Sequence, residues 1–302
     1  MKVLISGTSG FVGSNLIQFF NKRKLNDFIN LNLRNPNWKS QIDEKTQAII
    51  HLAGKAHDFK CVNNTNEYFE VNTNLTIELF DAFMSSNCSD FIFFSSVKAV
   101  TDKTNSLVNE EMIPNPQSVY GQSKLNAEQY LLSQMLPESK RLIIIRPSMI
   151  HGPGNKGNLN LLYKLVTNNL PWPLGAFENQ RSFCSIDNVC FVINEILENK
   201  KIPSGIYNLA DNQAISTNRL IELIAISQNK SAKIYTIPKK FIIAIAKFGD
   251  YLKLPLNSER LEKLTENFVV SNDKIVKAIG KPLPVNAEDG LMKTFNSFKI
   301  II

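Results

Sequence analysis

Tyr120 and Lys124 lie four positions apart in Tyr120-Gly121-Gln122-Ser123-Lys124, and on a helix that spacing turns both side chains to one face. A phenol with an ordinary pKa of about 10 is a poor base at neutral pH, but an ammonium one turn away stabilises the phenolate. Ser96 precedes the pair and closes the apolar run Phe91-Ile92-Phe93-Phe94-Ser95-Ser96, which reads as a buried strand. A strand-end hydroxyl beside such a phenol can hold a substrate oxygen while a hydride moves to or from the adjacent carbon. Tyrosine and lysine at this spacing are common on half-exposed helices, so the pair gains meaning only if the chain also binds a hydride carrier.

The first loop points to one. Gly7-Thr8-Ser9-Gly10-Phe11-Val12-Gly13 follows the apolar stretch Val3-Leu4-Ile5 and opens a helical pattern. Gly7 suits a tight turn, Gly10 lets backbone approach a pyrophosphate, and Gly13 lets the helix pack against the strand. The helix start at Phe11 and Val12 offers free N–H groups and a positive dipole end to the phosphates. The spacing GxxGxxG departs from the general GxGxxG fingerprint, but its strand-turn-helix context points to a dinucleotide. The next apolar stretch ends Asn32-Leu33-Arg34, without the carboxylate that binds the ribose 2'-hydroxyl of NAD. A guanidinium there suits a 2'-phosphate and tilts the expectation to NADP over NAD; Arg34 equally suits a solvated loop.

The elements that would position these groups alternate. Strand-length apolar runs at 2–6, 28–33, 48–53, 91–95 and 142–146 are separated by helical patterns at 11–22, 65–86 and 120–135. The fold class expected is α/β: a Rossmann-type doubly wound parallel sheet over 1–150, with a smaller C-terminal α/β lobe over 151–302 that binds substrate. Helical stretches near 159–166 and 188–198 and a strand-like 205–210 suggest that the chain crosses between the lobes near 183–215. Segment 34–47 leaves little room for a further strand and helix, so the adenine side is expected to be short.

Composition narrows the classes. In 302 residues, 43% hydrophobic and 20% charged content exclude a disordered chain. The net charge of +7 is scattered, with no run of five basic residues, which argues against nucleic-acid binding. Cys61, Cys88, Cys184 and Cys190 lack CxxC spacing and read as reduced thiols. His51, His57 and His151 show no HxxxH or HxH spacing, so no metal site is expected. His51 reads as a packed strand residue, and a structural or solvated role suits His57 and His151 better than a place in the cleft. Neither a signal peptide nor a membrane span is legible, and the expected compartment is the cytoplasm.

From residue 1 to about 297 the chain resembles the extended short-chain dehydrogenase/reductases of the NAD-dependent epimerase/dehydratase family, which includes nucleotide-sugar 4-epimerases and 4-ketoreductases. Besides the motifs above, the likeness rests on His51-Leu52-Ala53-Gly54, Val71-Asn72-Thr73-Asn74-Leu75-Thr76, Arg146-Pro147 and His151-Gly152-Pro153-Gly154. It implies that Ser96, Tyr120 and Lys124 are catalytic. It implies dinucleotide contacts from Gly7, Gly10, Phe11, Val12, Gly13, Leu52, Ala53, Gly54, Asn72, Tyr120 and Lys124. On the substrate side it implies Ser96, Asn158, Leu159, Arg181 and, more distantly, Arg260. A guanidinium at 181 would fork onto a diphosphate, the competing reading being a surface pair with Asp187. Met149 departs from the family, where an asparagine often meets the sugar.

The family's 4,6-dehydratases carry an Asp-Glu pair after the catalytic hydroxyl residue; Val97-Lys98 stands here, and cannot supply that carboxyl chemistry. The resemblance therefore implies hydride transfer at C4 of a nucleotide sugar. Arg34 favours reduction of a 4-keto-6-deoxy sugar in bacterial surface-polysaccharide synthesis, with NAD-dependent UDP-sugar 4-epimerisation as the alternative. A non-catalytic dinucleotide sensor would have no need of Tyr120 and Lys124. Homodimers formed through the Tyr-Lys helices are a further implication of the resemblance.

Overall fold

A computed structural model describes residues 2–23, 27–56, 65–155, 157–252 and 257–298, without the side chain of Asn158. His57 and Cys61 lie outside the described residues. The first half builds β1 (Lys2–Ser6), α1 (Phe11–Arg23), β2 (Asp27–Leu31), β3 (Thr46–His51), α2 (Thr65–Phe69), α3 (Leu75–Met84), β4 (Asp90–Phe94), α4 (Val119–Ser133) and β5 (Arg141–Pro147). The remainder adds β6 (Met149–His151), α5 (Asn158–Thr167), β7 (Phe183–Ser185), α6 (Ile186–Glu198), β8 (Gly205–Leu209), α7 (Thr217–Ser227), α8 (Lys239–Leu252), α9 (Ser258–Thr265), α10 (Asp273–Ile279) and α11 (Ala287–Phe298).

Six strands form one parallel sheet in the order β2-β1-β3-β4-β5-β8, and β6 pairs with β7 in a second, parallel pair. Continuous runs of Val, Ile, Leu and Phe make both faces of the large sheet apolar, and each face needs a helical cover. Leu16 and Phe20 of α1 and Val189, Ile193 and Ile196 of α6 cover one face. Leu79, Phe80 and Phe83 of α3 with Ala127 and Leu131 of α4 cover the other. Phe91, Ile92 and Phe93 of β4 are fully buried, and burial of each contributes about 2 kcal/mol relative to exposure. A separate cluster joins α5, α7, α8 and α11 around Tyr163, Ile221, Ile224 and Phe295. The expected doubly wound α/β sheet is present.

β2 pairs only with β1 and so forms one edge of the sheet. Between β2 and β3 stands a single 3-10 turn, Trp38–Gln41, whose Trp38 packs into the core. No strand or helix intervenes on the adenine side, as the short segment 34–47 suggested. The chain leaves β1 toward β2 in one direction and returns beside β1 with β3, so the sheet order reverses there. At such a reversal the carboxyl ends of the strands open a crevice for ligand.

The helix expected at 65–86 is interrupted by a π-helical turn, Glu70–Asn74. The β8 strand adds to the large sheet beside β5, with Gly205 to Leu209 in register with Ile143 to Pro147.

Candidate active site

At the carboxyl ends of β1, β3, β4 and β5 lies a cleft of about 960 Å³. Gly10, Phe11 and Val12 line it, with Leu52 and Gly54 from the end of β3 and with Ser96, Tyr120 and Lys124. The glycines of the first loop explain the approach. Gly7 has φ +75°, and a Cβ there would lie 2.6 Å from the Ala53 nitrogen. A Cβ on Gly13 would run into the Gly7 carbonyl, so both positions exclude side chains. The Gly10 N–H donates to the Gly7 carbonyl at 3.0 Å, which closes the turn and leaves the first N–H groups of α1 at the cleft wall. Ser6 accepts the Ala53 N–H at 3.3 Å and pairs with His51 at 2.6 Å, tying the ends of β1 and β3 together.

His51 is fully buried, its second ring nitrogen 2.9 Å from the Thr76 hydroxyl. Burial, with Lys124 nearby, lowers it to about 3, so it stays a neutral packed residue as its place in the apolar strand suggested. Ser95 and Ser148 also line the cleft, and their buried hydroxyls have no partner among the described residues. Free hydroxyls, bare glycine backbone and a helix N-terminus suit the nicotinamide, pyrophosphate and ribose of a dinucleotide. The residues present therefore fit that group.

Ser96 has extended backbone and caps the short turn Val97–Ala99, accepting the Lys98 N–H at 3.1 Å. Gly121 on α4 abuts that turn: any Cβ there would strike the Lys98 carbonyl. The close approach puts Tyr120 within hydrogen-bonding reach of Ser96. Burial raises the Tyr120 phenol above its usual value; the Ser96 hydrogen bond opposes this, and Tyr68, whose ring centroid lies 6.4 Å away, adds to it. Lys124 is buried, and burial, against the pull of Glu128, lowers it to about 8. Its Nζ donates to the Phe94 carbonyl at 2.9 Å and sits 4.8 Å from the Phe93 ring centroid. Burial is the largest influence on the phenol, and the ammonium that the sequence places one turn from it donates to the strand carbonyl.

Asp102, which the motifs did not single out, anchors α4. One carboxylate oxygen accepts the Gln117 and Ser118 N–H groups at 2.6 and 2.7 Å, and the other accepts the Ser118 hydroxyl at 2.6 Å. Ser118 in turn accepts the Gly121 N–H at 3.1 Å as N-cap. Only the spacing Asp102 to Ser118 could have hinted at this contact, and it crosses an irregular loop.

Several expected contacts fall elsewhere. Asn72 is fully buried behind the cleft wall; its Oδ1 accepts the Lys55 N–H at 2.7 Å, and its Nδ2 donates to the Lys55 carbonyl and the Ser123 hydroxyl, each at 3.0 Å. It positions Gly54-Lys55 and α4 and does not line the cleft. The π-turn makes this possible, because an extra residue in the turn brings both Asn72 and Thr73 against α4, Thr73 donating to the Ser123 carbonyl at 2.7 Å. Ala53 contributes backbone next to Gly7. Arg34 is exposed on the turn after β2 and is not among the lining residues.

On the far wall, Arg181 and Phe268 line the cleft with Met149, Gly157 and Lys98. Arg181 donates to the Lys263 carbonyl at 2.8 Å and pairs with Glu266 at 3.3 Å. Asp187 pairs with Lys293, so the surface pair of Arg181 with Asp187 does not form. Leu159 corrects its expectation: it is buried in the core beside Tyr163, because the apolar face of α5 turns inward. Asn158 opens α5, its side chain outside the described set. Arg260 is exposed on α9, which buries Leu261, and is not among the lining residues. His151 sits under this wall, 2.9 Å from Thr294 and 3.4 Å from Asp211, in a structural role.

The model of the NAD dependent epimerase/dehydratase family matches residues 3–210. UDP-glucose 4-epimerase of Vibrio cholerae is 27% identical, over 98% of this chain and 95% of its own. N-acetyl-alpha-D-glucosaminyl-diphospho-ditrans,octacis-undecaprenol 4-epimerase of Escherichia coli O157:H7 is 28% identical over 78% and 75%. GDP-6-deoxy-D-mannose reductase of Pseudomonas aeruginosa is 25% identical over 74% and 79%. Among solved structures, UDP-glucuronic acid 4-epimerase of Bacillus cereus in complex with NAD superposes with a TM-score of 0.78 at 19% identity, covering 100% and 99% of the two chains. The chain belongs to the NAD-dependent epimerase/dehydratase family and is an NAD(P)-dependent enzyme of the extended short-chain dehydrogenase type.

Proposed function

We propose that this enzyme reduces the C4 carbonyl of a nucleotide-linked 4-keto-6-deoxy sugar. The observation that carries the reading is Tyr120 beside Ser96 in the cleft, its phenol raised by burial and so held as a proton donor at neutral pH. Ser96 holds the C4 oxygen through its hydroxyl. Tyr120 Oη gives its proton to that oxygen as the carbonyl becomes an alcohol; a reduced dinucleotide held in the cleft would supply the hydride for C4. Lys124, tied to the Phe94 carbonyl, keeps a positive charge behind the reacting oxygens and stabilises the phenolate that Tyr120 leaves. The turn Gly7 to Gly13 would hold the dinucleotide's pyrophosphate, with Leu52 and Gly54 lining the same cleft.

On the other wall Arg181 receives the diphosphate of the substrate, its guanidinium already oriented by Glu266 and the Lys263 carbonyl. The site-residue roles and the division at about residue 150 into a dinucleotide lobe and a substrate lobe belong to this proposal. The absence of a carboxylate after β2 agrees with NADP, although Arg34 would have to reach across from its exposed turn.

A second reading has its own support. A relative that spans nearly the whole chain is a UDP-glucose 4-epimerase, and the same three residues would serve a 4-epimerase by running the proton transfer in both directions. Absorbance of NADPH and NADH followed with a UDP-4-keto-6-deoxy sugar, beside epimerisation of UDP-sugars without added reductant, separates the two. Net oxidation of the dinucleotide selects reduction. Interconversion of C4 epimers without net oxidation selects epimerisation, and inactivity in both assays overturns the shared chemistry.

A further inference from the structure

α8 buries Ile242, Ala246 and Gly249 and turns the rest of its circumference outward. Phe241, Ile245, Phe248 and Leu252 fall in one row at helical spacing and are 65, 51, 60 and 49% exposed. Lys240, Lys247 and Tyr251 form the adjacent row, the lysines exposed and Tyr251 84% exposed. The carboxylate of this helix, Asp250, faces the other way and accepts the N–H and hydroxyl of Ser258 at 2.8 and 2.5 Å. The outward surface is therefore an apolar row bordered by cations and an aromatic hydroxyl. It has no part in the chemistry of the cleft.

We propose that this face docks the enzyme on an anionic phospholipid surface, with α8 lying in the headgroup plane. Lysine is depleted from the cores of subunit interfaces, whereas helices that rest on a bilayer combine bulky apolar residues with lysines that meet phosphate. The chain's net charge of +7 adds long-range attraction to the same surface. Fourteen residues span about 21 Å as a helix, short of the roughly 30 Å of a hydrocarbon core, so the helix lies on the membrane and does not cross it. The placement also has a consequence for the cleft. α8 packs on α9, and the Lys263 carbonyl of α9 holds Arg181 on the cleft wall. The docking face therefore sits on a helix that adjoins the support of Arg181.

Co-sedimentation of the full chain with vesicles tests this without any sugar substrate, so its outcome is independent of the reaction assigned to the cleft. The protein is expected to pellet with phosphatidylglycerol-containing vesicles at low salt and to stay in solution with pure phosphatidylcholine. Each lysine of the pair replaced by glutamine lowers the partition about fivefold. The double variant F241S/F248S lowers it at least tenfold. Turnover on a water-soluble substrate and the melting temperature should hold in these variants, which separates docking from misfolding. Phe248→Trp preserves the apolar row and should show a blue-shifted emission only with anionic vesicles. Wild-type protein that ignores anionic vesicles overturns the proposal. A dimer by light scattering that F241S/F248S converts to monomer, with vesicle partition unchanged, assigns the face to a second copy and overturns it as well.

Discussion

The two walls of the cleft are built on different terms. The wall carrying Gly10, Ser96, Tyr120 and Lys124 is made of strand ends and helix starts whose partners are close in sequence or adjacent in the sheet. Ser118 caps α4 three residues before Gly121, and Lys124 is held by the neighbouring strand through Phe94. The wall carrying Arg181 and Phe268 depends on segments far apart: Arg181 reaches Lys263 and Glu266, Ser182 takes the Phe268 carbonyl at 2.9 Å, and the Ser182 hydroxyl accepts the Val270 N–H at 3.0 Å. The first wall is held by local contacts. The second is assembled from segments distant in sequence.

That contrast makes ranked predictions. Tyr120→Phe removes the proton donor and leaves the frame intact; kcat should fall about 10³-fold while dinucleotide binding, read by fluorescence titration, stays unchanged. Retained turnover would take Tyr120 out of the reaction. Next comes Gly121→Val, which forces α4 off the Lys98 carbonyl and misplaces Tyr120. Here kcat should drop about 10²-fold, with a lower melting temperature and little change in KM for the sugar. On the far wall, Arg181→Ala should raise KM for the nucleotide sugar by about 30-fold and leave kcat within a few-fold, because the contact is made equally in ground and transition states. An equal loss in kcat would mean that the walls are not separable.

A pH dependence, small near neutrality, comes last. Lys124 titrates at about 8 in the folded chain against 10.5 for an exposed lysine. Turnover needs its positive charge, so kcat/KM of the dinucleotide-saturated enzyme should decline above a pH of about 8, by up to tenfold per unit. Stability runs the other way. Between these two values the unfolded chain holds a proton that the native chain has released, so stability rises with pH across that window. A flat rate profile between pH 7 and 10 would show that the lysine keeps its proton when the dinucleotide is bound.

The first wall was legible in the sequence for a physical reason. A glycine turn between a strand and a helix, an apolar strand ending in hydroxyls, and a tyrosine one turn before a lysine are local patterns, and Gly10, Ser96, Tyr120 and Lys124 all line the cleft. Asn72 shows the limit: its motif was recognisable, but a π-turn shifted it behind the wall, and a single inserted residue leaves no trace in a helical period. Leu159 and Arg260 show another. Which side of a short helix faces a cleft depends on what it packs against, and for α5 and α9 that partner comes from residues far along the chain.

Local order and hydrophobic period thus determined the parallel sheet, the glycine turn after β1 and the grouping of Ser96, Tyr120 and Lys124, since each is a matter of a few bonds within one turn or between neighbouring strands. Tertiary structure decided which cations reach the cleft, how burial sets the protonation of Tyr120 and Lys124, and which face of α8 is left outward. Exposure and solvation are properties of the assembled molecule: they depend on every neighbour that excludes water, and no stretch of sequence specifies those neighbours by itself.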